Sequence, residues 1–323
     1  MGSLVDPAIL FFFFGVAAAL ARSNLEVPAP IAKFLSLYLL LAIGFKGGVT
    51  LAETGFTRAA GAAIALGVLF AALVPAWSYA VLRRRVGAFD AAAIAAAYGS
   101  VSAVTFITAV AYAERSGLSA GGHMALVLAL METPAVVMAI VLANRARVAA
   151  GGSAEGGRAA AGLRHVLGEA FTDGAHLMLL GSILIGLATG SSGRASLEPL
   201  IGPLFKGLLL FFLLDMGLVV GRRLREARAL PPFLVGFALL APPLHAALAL
   251  AASWLAGLPA GDAFLLAVLV ASASYIVVPA VVRYAIPEAN PAYYFGMALA
   301  VTFPLNIAVG LPLYFGWVRA FWP

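Results

Sequence analysis

Tyr98-Gly-Ser-Val-Ser-Ala-Val-Thr105 and Ser272-Ala-Ser-Tyr-Ile-Val-Val-Pro279 interrupt two otherwise apolar runs, and their reading decides the fold. Both are rich in small residues and hydroxyls. Backbone groups freed by such a segment cannot be satisfied by lipid, so it is tolerated only where protein or a water-filled cavity covers it. Serine and threonine also back-bond within continuous helices, but two interruptions at matched positions favour broken helices. Pro279 is the strongest single mark, because it removes a donor from the middle of its run. A broken helix offers N–H groups and a positive dipole end to an anion. Its freed carbonyls and hydroxyls suit a small hard cation such as sodium.

The match between the two stretches extends further. Ser100-Val-Ser102 recurs as Ser272-Ala-Ser274, 172 residues later, and the same spacing carries Tyr112-Ala113 onto Tyr284-Ala285. Phe45-Lys46-Gly47 lies opposite Asp215-Met216-Gly217, and Pro134 opposite Pro304, both 170 residues apart. The order and near-constant spacing predict two repeats, residues 1–144 and 176–323. Between them, residues 145–175 contain RVAAGGSAEGGRAAAGLRH, which reads as a flexible cytoplasmic linker. Arg164 to Phe171 is expected to form a short interfacial helix.

Working outward, apolar runs near the roughly 20 residues needed to cross a bilayer fall at 4–21, 31–51, 59–82, 90–113 and 121–143 in the first half. In the second half they fall at 176–190, 199–220, 232–256, 263–283 and 292–316. The first run follows Asp6 and no Lys or Arg, which argues for a retained span rather than a signal peptide. The expected fold is therefore an all-α polytopic membrane protein of ten transmembrane helices. Five spans per repeat is an odd number, so the two five-helix repeats are inverted, and broken helices four and nine are expected to cross at mid-membrane.

Composition agrees. Of 323 residues 63% are hydrophobic and only 11% charged, against about 25% in ordinary soluble domains. The net charge of +6 sits between apolar runs, as membrane topology requires, so it does not indicate a nucleic-acid partner. With the N-terminus outside, 14 Lys and Arg residues fall in cytoplasmic connections and 5 outside. Among the 14 are Arg22, Lys33, Arg83 to Arg85, Arg222, Arg223 and Arg283; that bias predicts both termini outside. There is no cysteine, and His123, His165, His176 and His245 stand far apart without a metal-binding spacing. Phosphate-cradling loops, catalytic carboxylate pairs and nucleophile elbows are absent, which argues against an enzyme.

Ionisable groups within spans are functional candidates by default. Glu132, just before Pro134, is positioned to ligand sodium or carry a proton. Lys46 and Asp215 are expected to approach each other across the repeat axis, to serve the site separately, or to snorkel near an interface. His245 is read as a hydrogen-bonded core histidine, with proton carriage the rival. Gly44, Gly47 and Gly48 are expected to permit close helix contact, and Phe11 to Phe14 to face lipid or a neighbouring protomer.

Several motifs bear a resemblance. Ile43-Gly44 with Gly47-Gly48, Met131-Glu132-Thr133-Pro134-Ala135 and Val141-Leu-Ala-Asn144 resemble the sodium-dependent bicarbonate transporter family of cyanobacteria and other bacteria. So do Arg283 with Ile286-Pro287-Glu-Ala-Asn290-Pro291, and Pro312-Leu-Tyr-Phe-Gly316. The resemblance runs through nearly the whole chain. It implies a homotrimer in the bacterial cytoplasmic (inner) membrane, with a cytoplasmic regulator of the PII type as a further partner. It also implies that substrate and sodium are held between the crossing breaks. Carried over by position, the substrate site is Ser102, Ala103, Val104 and Thr105 with Ser272, Ala273, Ser274 and Tyr275. Glu132 matches the family's acidic position before the proline; with Ser100, Lys46 and Asp215, taken from the residues themselves, it makes up the ion-coupling candidates, and Ser102, Thr105, Ser274 and Glu132 the candidate sodium site. Where the family carries Gly and Ser this chain has Ala103 and Val104, and where it carries Asp this chain has Tyr275. A Ser-Gly pair is replaced by Val277-Val278.

The function expected is sodium-coupled import of bicarbonate or a similar small anion by alternating access, with no cofactor beyond Na+ as coupling ion. A proton-coupled small-carboxylate transporter and a non-transporting membrane sensor or receptor subunit remain open as alternatives.

Overall fold

The computed structural model describes residues 6–149 and 173–322, which are helical, with no strand among them. In chain order the first-half helices are α1 (Pro7–Leu20), α2 (Ala29–Thr54), α3 (Arg58–Leu82), α4 (Ala88–Gly99), α5 (Ala103–Arg115) and α6 (Met124–Ala149). The second half begins with α7 (Gly174–Ile201), α8 (Pro203–Arg228), α9 (Pro232–Leu255), α10 (Ala260–Ala271) and α11 (Val277–Ala285). The last, α12, spans Pro291–Phe321 and contains π-helical stretches at Gly296–Thr302 and Asn306–Gly310.

Local chemistry explains many of the starts. Pro7, Pro203, Pro232 and Pro291 each open a helix, where a missing N–H costs nothing. The side chains of Asp6, Thr57 and Asn290 cap the first turns of α1, α3 and α12, accepting from the N–H of Ala8, Ala60 and Ala292. Pro279 belongs with them. It lies in the first turn of α11, not in mid-helix as the sequence implied, so it starts a half-helix after the break.

Among the described residues, eight helical stretches are long and apolar enough to cross a bilayer, with α4 and α5 counted together, and the apolar α1 and α10 are shorter. Phe14, Leu184, Leu240 and Leu255 stand exposed, as a lipid-facing surface allows. Of the phenylalanine cluster, Phe11, Phe13 and Phe14 are exposed and Phe12 is buried. Two expected boundaries move. The run expected to end at 190 continues to Ile201, with Gly190 at φ 55 bending α7 there. The linker expected from 145 starts later, because α6 continues to Ala149. Arg158 and the expected helix at 164–171 lie outside the described residues.

The halves interlock pairwise: α1 packs along α8, and α2 along α7. Glycines let the backbones touch. A Cβ on Gly15 would strike the Leu214 carbonyl, and one on Gly217 the Phe12 carbonyl. In the other pair, a Cβ on Gly186 would strike the Phe45 carbonyl, and one on Gly48 the Ile183 carbonyl. These are the same contacts with the halves exchanged, shifted by 169 to 171 residues. Gly44 and Gly47 make similar approaches, to Leu179 and Gly122. Gly48→Leu is expected to destabilise the chain by ~1–3 kcal/mol through overpacking. Gly236→Ala, whose Cβ would meet nothing, should be neutral; thermal unfolding in detergent checks both.

The same exchange appears at the two ends of the bundle. At one end the Gly121 N–H donates to Asp262 Oδ1 at 2.6 Å, and at the other the Asn290 N–H donates to Asp90 Oδ1 at 2.7 Å. Each aspartate sits in the first turn of a half-helix, and its donor lies just before the last long helix of the other half. Asp262 also meets His123 Nε2 at 3.1 Å. Near Asp90, Arg147 reaches Glu288 at 3.1 Å and the Ala285 carbonyl at 2.7 Å. Partial burial pushes the Glu288 carboxyl up, but its bonds to Arg147 outweigh that and hold it below the usual range.

α4 and α10 lie at the centre: Ala91–Gly99 and Gly261–Ala271 are buried throughout. A helix apolar and enclosed on every side forms a core, not a lipid face. Its far end is where the chain breaks.

Candidate functional site

The breaks follow directly from their residues. After Gly99 the chain turns extended at Ser100 (ψ −179), and Ser102 caps α5 by accepting from the Thr105 N–H at 3.2 Å. In the second half Ser272 is extended (ψ 168), and the Ser274 hydroxyl accepts from the Val278 N–H at 3.3 Å. The two breaks then bond to each other. The Ser102 N–H donates to Ser272 Oγ at 2.9 Å, and the Ser274 N–H donates to the Ala97 carbonyl at 2.8 Å. Four half-helix ends therefore meet at one crossing.

Polar side chains bond carbonyls at the end of α10. Ser272 Oγ donates to the Leu269 carbonyl at 2.7 Å, and Asn306 Nδ2 to the Ala271 carbonyl at 2.9 Å. His245, expected to be hydrogen-bonded, is turned toward the Val270 carbonyl, but neither ring nitrogen has a hydrogen-bond partner among the described residues; its ring packs T-shaped with Trp77, centroids 4.9 Å apart. It is fully buried against the structural core and lines no described cavity beside the crossing. On the α4 side the Tyr98 hydroxyl and Thr302 Oγ1 lie 2.6 Å apart, and Thr302 donates to the Ala238 carbonyl at 3.0 Å.

Beside the crossing is a cavity of about 60 Å³, room for a few waters. Of the residues expected at the site, Ser102, Ala103, Val104, Ser274, Tyr275 and Glu132 line it. Ser100, Thr105, Ser272 and Ala273 are buried next to it without forming its wall. Ser100 Oγ, Thr105 Oγ1 and the Tyr275 hydroxyl have no hydrogen-bond partner, although the phenol points toward Ser102. Such groups are costly in a buried setting, so three at one crossing single it out as a place for a polar ligand. Ser102 Oγ and Ser274 Oγ each keep a lone pair beyond the N–H they accept, which suits a hard cation.

Lys46 and Asp215 do not meet. Lys46 Nζ lies 3.2 Å from Glu114 and 5.1 Å from the Phe205 ring centroid. Lys46 does reach α8, at Phe205, but Asp215 lies ten residues further along that helix, about 15 Å away at its rise per residue. Lys46 instead lines a second cavity of about 360 Å³, with Arg194, Glu198 and the Ser119–Gly122 loop.

The two cavities share walls. Leu40, Ile107 and Leu128 face the smaller, while Ile43, Phe106 and Ala125, about one turn along or adjacent on the same three helices, face the larger. Along α7 the first touches Asp173 to Leu179 and the second Arg194 to Ile201, so they open toward opposite ends of the bundle. A thin apolar layer separates them.

His176 is the residue that sequence reasoning missed. Its Nδ1 lies 2.9 Å from Glu132 Oε2 in the smaller cavity. The only advance signal was a histidine at the very start of an apolar run. Asn306, Asp90 and Asp262 were missed as well, although the two aspartates share the 172-residue repeat spacing.

One family model, that of the Na+-dependent bicarbonate transporter superfamily, matches residues 7–319, nearly the whole chain. Comparison with curated proteins one by one gave no match.

Proposed function

The chain belongs to the Na+-dependent bicarbonate transporter superfamily, a family of transporters and not of enzymes, and from that premise we propose a sodium-coupled secondary transporter that imports bicarbonate or a similar small anion by alternating access. The observation that carries the reading is the crossing itself. Two half-helix N-termini, each with an N–H taken by a serine hydroxyl, converge beside a cavity that the Tyr275 phenol lines, with the unpartnered Ser100 and Thr105 hydroxyls buried at the same crossing. N–H groups and dipole ends there favour an anion, and the hydroxyls with Glu132 favour a sodium ion.

Ten spans in two inverted repeats are part of the proposal. The exchanged glycine contacts and the exchanged aspartate bonds at opposite ends support it, since each pairs one half with the other at nearly constant spacing. Paired cavities on opposite sides of a thin apolar layer support alternating access. We place the arginine-rich end, with Arg83 to Arg85 and Arg222, in the cytoplasm of a bacterial inner membrane, and the chain in a homotrimer. The smaller cavity then faces inward.

Uptake of labelled bicarbonate into proteoliposomes is expected to rise with an inward sodium gradient and to fall to background without one. Uptake that follows pH and ignores sodium would make the proton the driving ion. Saturable binding with no flux under any gradient would turn the reading toward a sensor.

A further inference from the structure

The smaller cavity contains a polar contact between helices that are far apart in sequence. Glu132 comes from α6 and His176 from the first turn of α7, with Nδ1 2.9 Å from Oε2. Their side chains are 14% and 7% exposed. An ionised carboxylate only accepts, so Nδ1 carries the hydrogen in this contact. The backbone that carries His176 is capped at the start of its helix, where Asp173 Oδ1 accepts from the Ala175 and His176 N–H groups at 3.0 and 3.1 Å. Glu132 Oε1 takes no part in the bond to His176. The carboxylate is therefore fixed by one oxygen and faces the cavity that Ser102 and Ser274 line.

We propose that His176 is a positioning residue for the coupling cation: it clamps Oε2 of Glu132 so that the same carboxylate presents Oε1 toward a cation at the crossing. This rests on the sodium-coupled reading above and adds a residue to it. A glutamate without the clamp spreads over several rotamers and must be ordered each time a cation binds, which weakens binding. Partners that orient metal-ligating groups are worth about 10- to 100-fold in affinity. The clamp is made by the nearer ring nitrogen, and that gives the test its geometry. His176→Asn puts an amide nitrogen close to the place of Nδ1. His176→Gln puts it one bond further out, near the place of Nε2.

The readout is the sodium concentration that half-maximally raises the unfolding midpoint of the purified chain in detergent, at constant ionic strength with choline. His176→Gln is expected to raise that concentration about tenfold, and His176→Asn to stay within about threefold of the unmutated chain. In proteoliposomes at saturating sodium, the KM for bicarbonate should stay within about twofold in both variants, since only cation binding is affected. Equal behaviour of the two variants, or a bicarbonate KM that moves with the sodium half-point, would overturn the proposal while leaving sodium coupling intact. An unmutated chain that shows neither sodium stabilisation nor sodium-driven uptake would overturn the sodium-coupled reading, and the clamp with it.

Discussion

Replacing both Ser102 and Ser274 with alanine is expected to abolish uptake and leave the chain folded. Each hydroxyl accepts the N–H that starts a half-helix, Thr105 N–H for Ser102 and Val278 N–H for Ser274. A lost cap costs about 0.5–2 kcal/mol, which frays the first turn of α5 and of α11. Those turns supply the N–H groups and dipole ends that would meet an anion. Yet the bonds that tie the breaks together come from elsewhere: the Ser102 and Ser274 backbone N–H groups and the Ser272 hydroxyl remain in the double variant. Binding chemistry and architecture are thus carried by different atoms of the same residues. Ser102→Thr with Ser274→Thr keeps both caps and should retain a measurable rate. Size-exclusion profiles and labelled-anion uptake read the two consequences separately. Full uptake by the alanine pair would place the site elsewhere.

The contrast with Ser272→Ala is informative. Ser272 Oγ accepts from the Ser102 N–H, so its loss leaves that buried N–H of the other half unsatisfied, while the Leu269 carbonyl keeps the Ser272 N–H at 3.1 Å. That substitution should lower the unfolding midpoint where the alanine pair at 102 and 274 does so less.

The breaks were legible in the sequence because lipid forbids what they contain. Hydroxyls recurring at matched positions of two apolar runs, with Gly99 before the first, favour exposed backbone, and exposed backbone needs a covered place. The Ser-x-Ser recurrence stands out for the same reason, since few residue types are tolerated in such runs. Membership of the family followed from motifs spread along the chain, and the family match agrees. What remained hidden were the pairings between distant elements. Lys46 and Asp215 looked like partners by spacing, but Lys46 meets α8 at Phe205, ten residues before Asp215, and pairs with Glu114. His176 and Glu132 lie 44 residues apart, on either side of the 150–172 segment, and no local pattern announces that they meet. Asp90 and Asp262 sat near the ends of apolar runs, where acidic residues read as ordinary boundaries. Sequence periodicity reports the face of a helix; it does not report which neighbour that face meets.

Asn306→Leu is the second substitution expected to have a large effect, and it tests how the crossing is held. Asn306 is fully buried on α12, opening a π-helical stretch two residues after Pro304. A wider turn shifts the register of the face that follows, and such bulges recur at functional sites. From there Nδ2 donates to the Ala271 carbonyl at 2.9 Å, and Oδ1 accepts from the Tyr314 hydroxyl at 2.9 Å. Ala271 is the last residue of α10 before the break, so its carbonyl has lost its helical partner and depends on this side chain. Leucine has the same branched shape, is somewhat larger, and supplies neither bond. One buried acceptor and one buried donor are then left unmade, each at a cost of about 1–3 kcal/mol. The unfolding midpoint should fall and uptake should fail, because the half-helix end that faces the crossing is no longer pinned. Adding Tyr314→Phe removes the stranded hydroxyl but not the stranded carbonyl. The double variant should therefore recover part of the stability of Asn306→Leu and none of its uptake, a coupling that a double-mutant cycle measures. Wild-type stability and rate in Asn306→Leu alone would mean that the Ala271 carbonyl finds another partner, and that α12 does not hold the break in place.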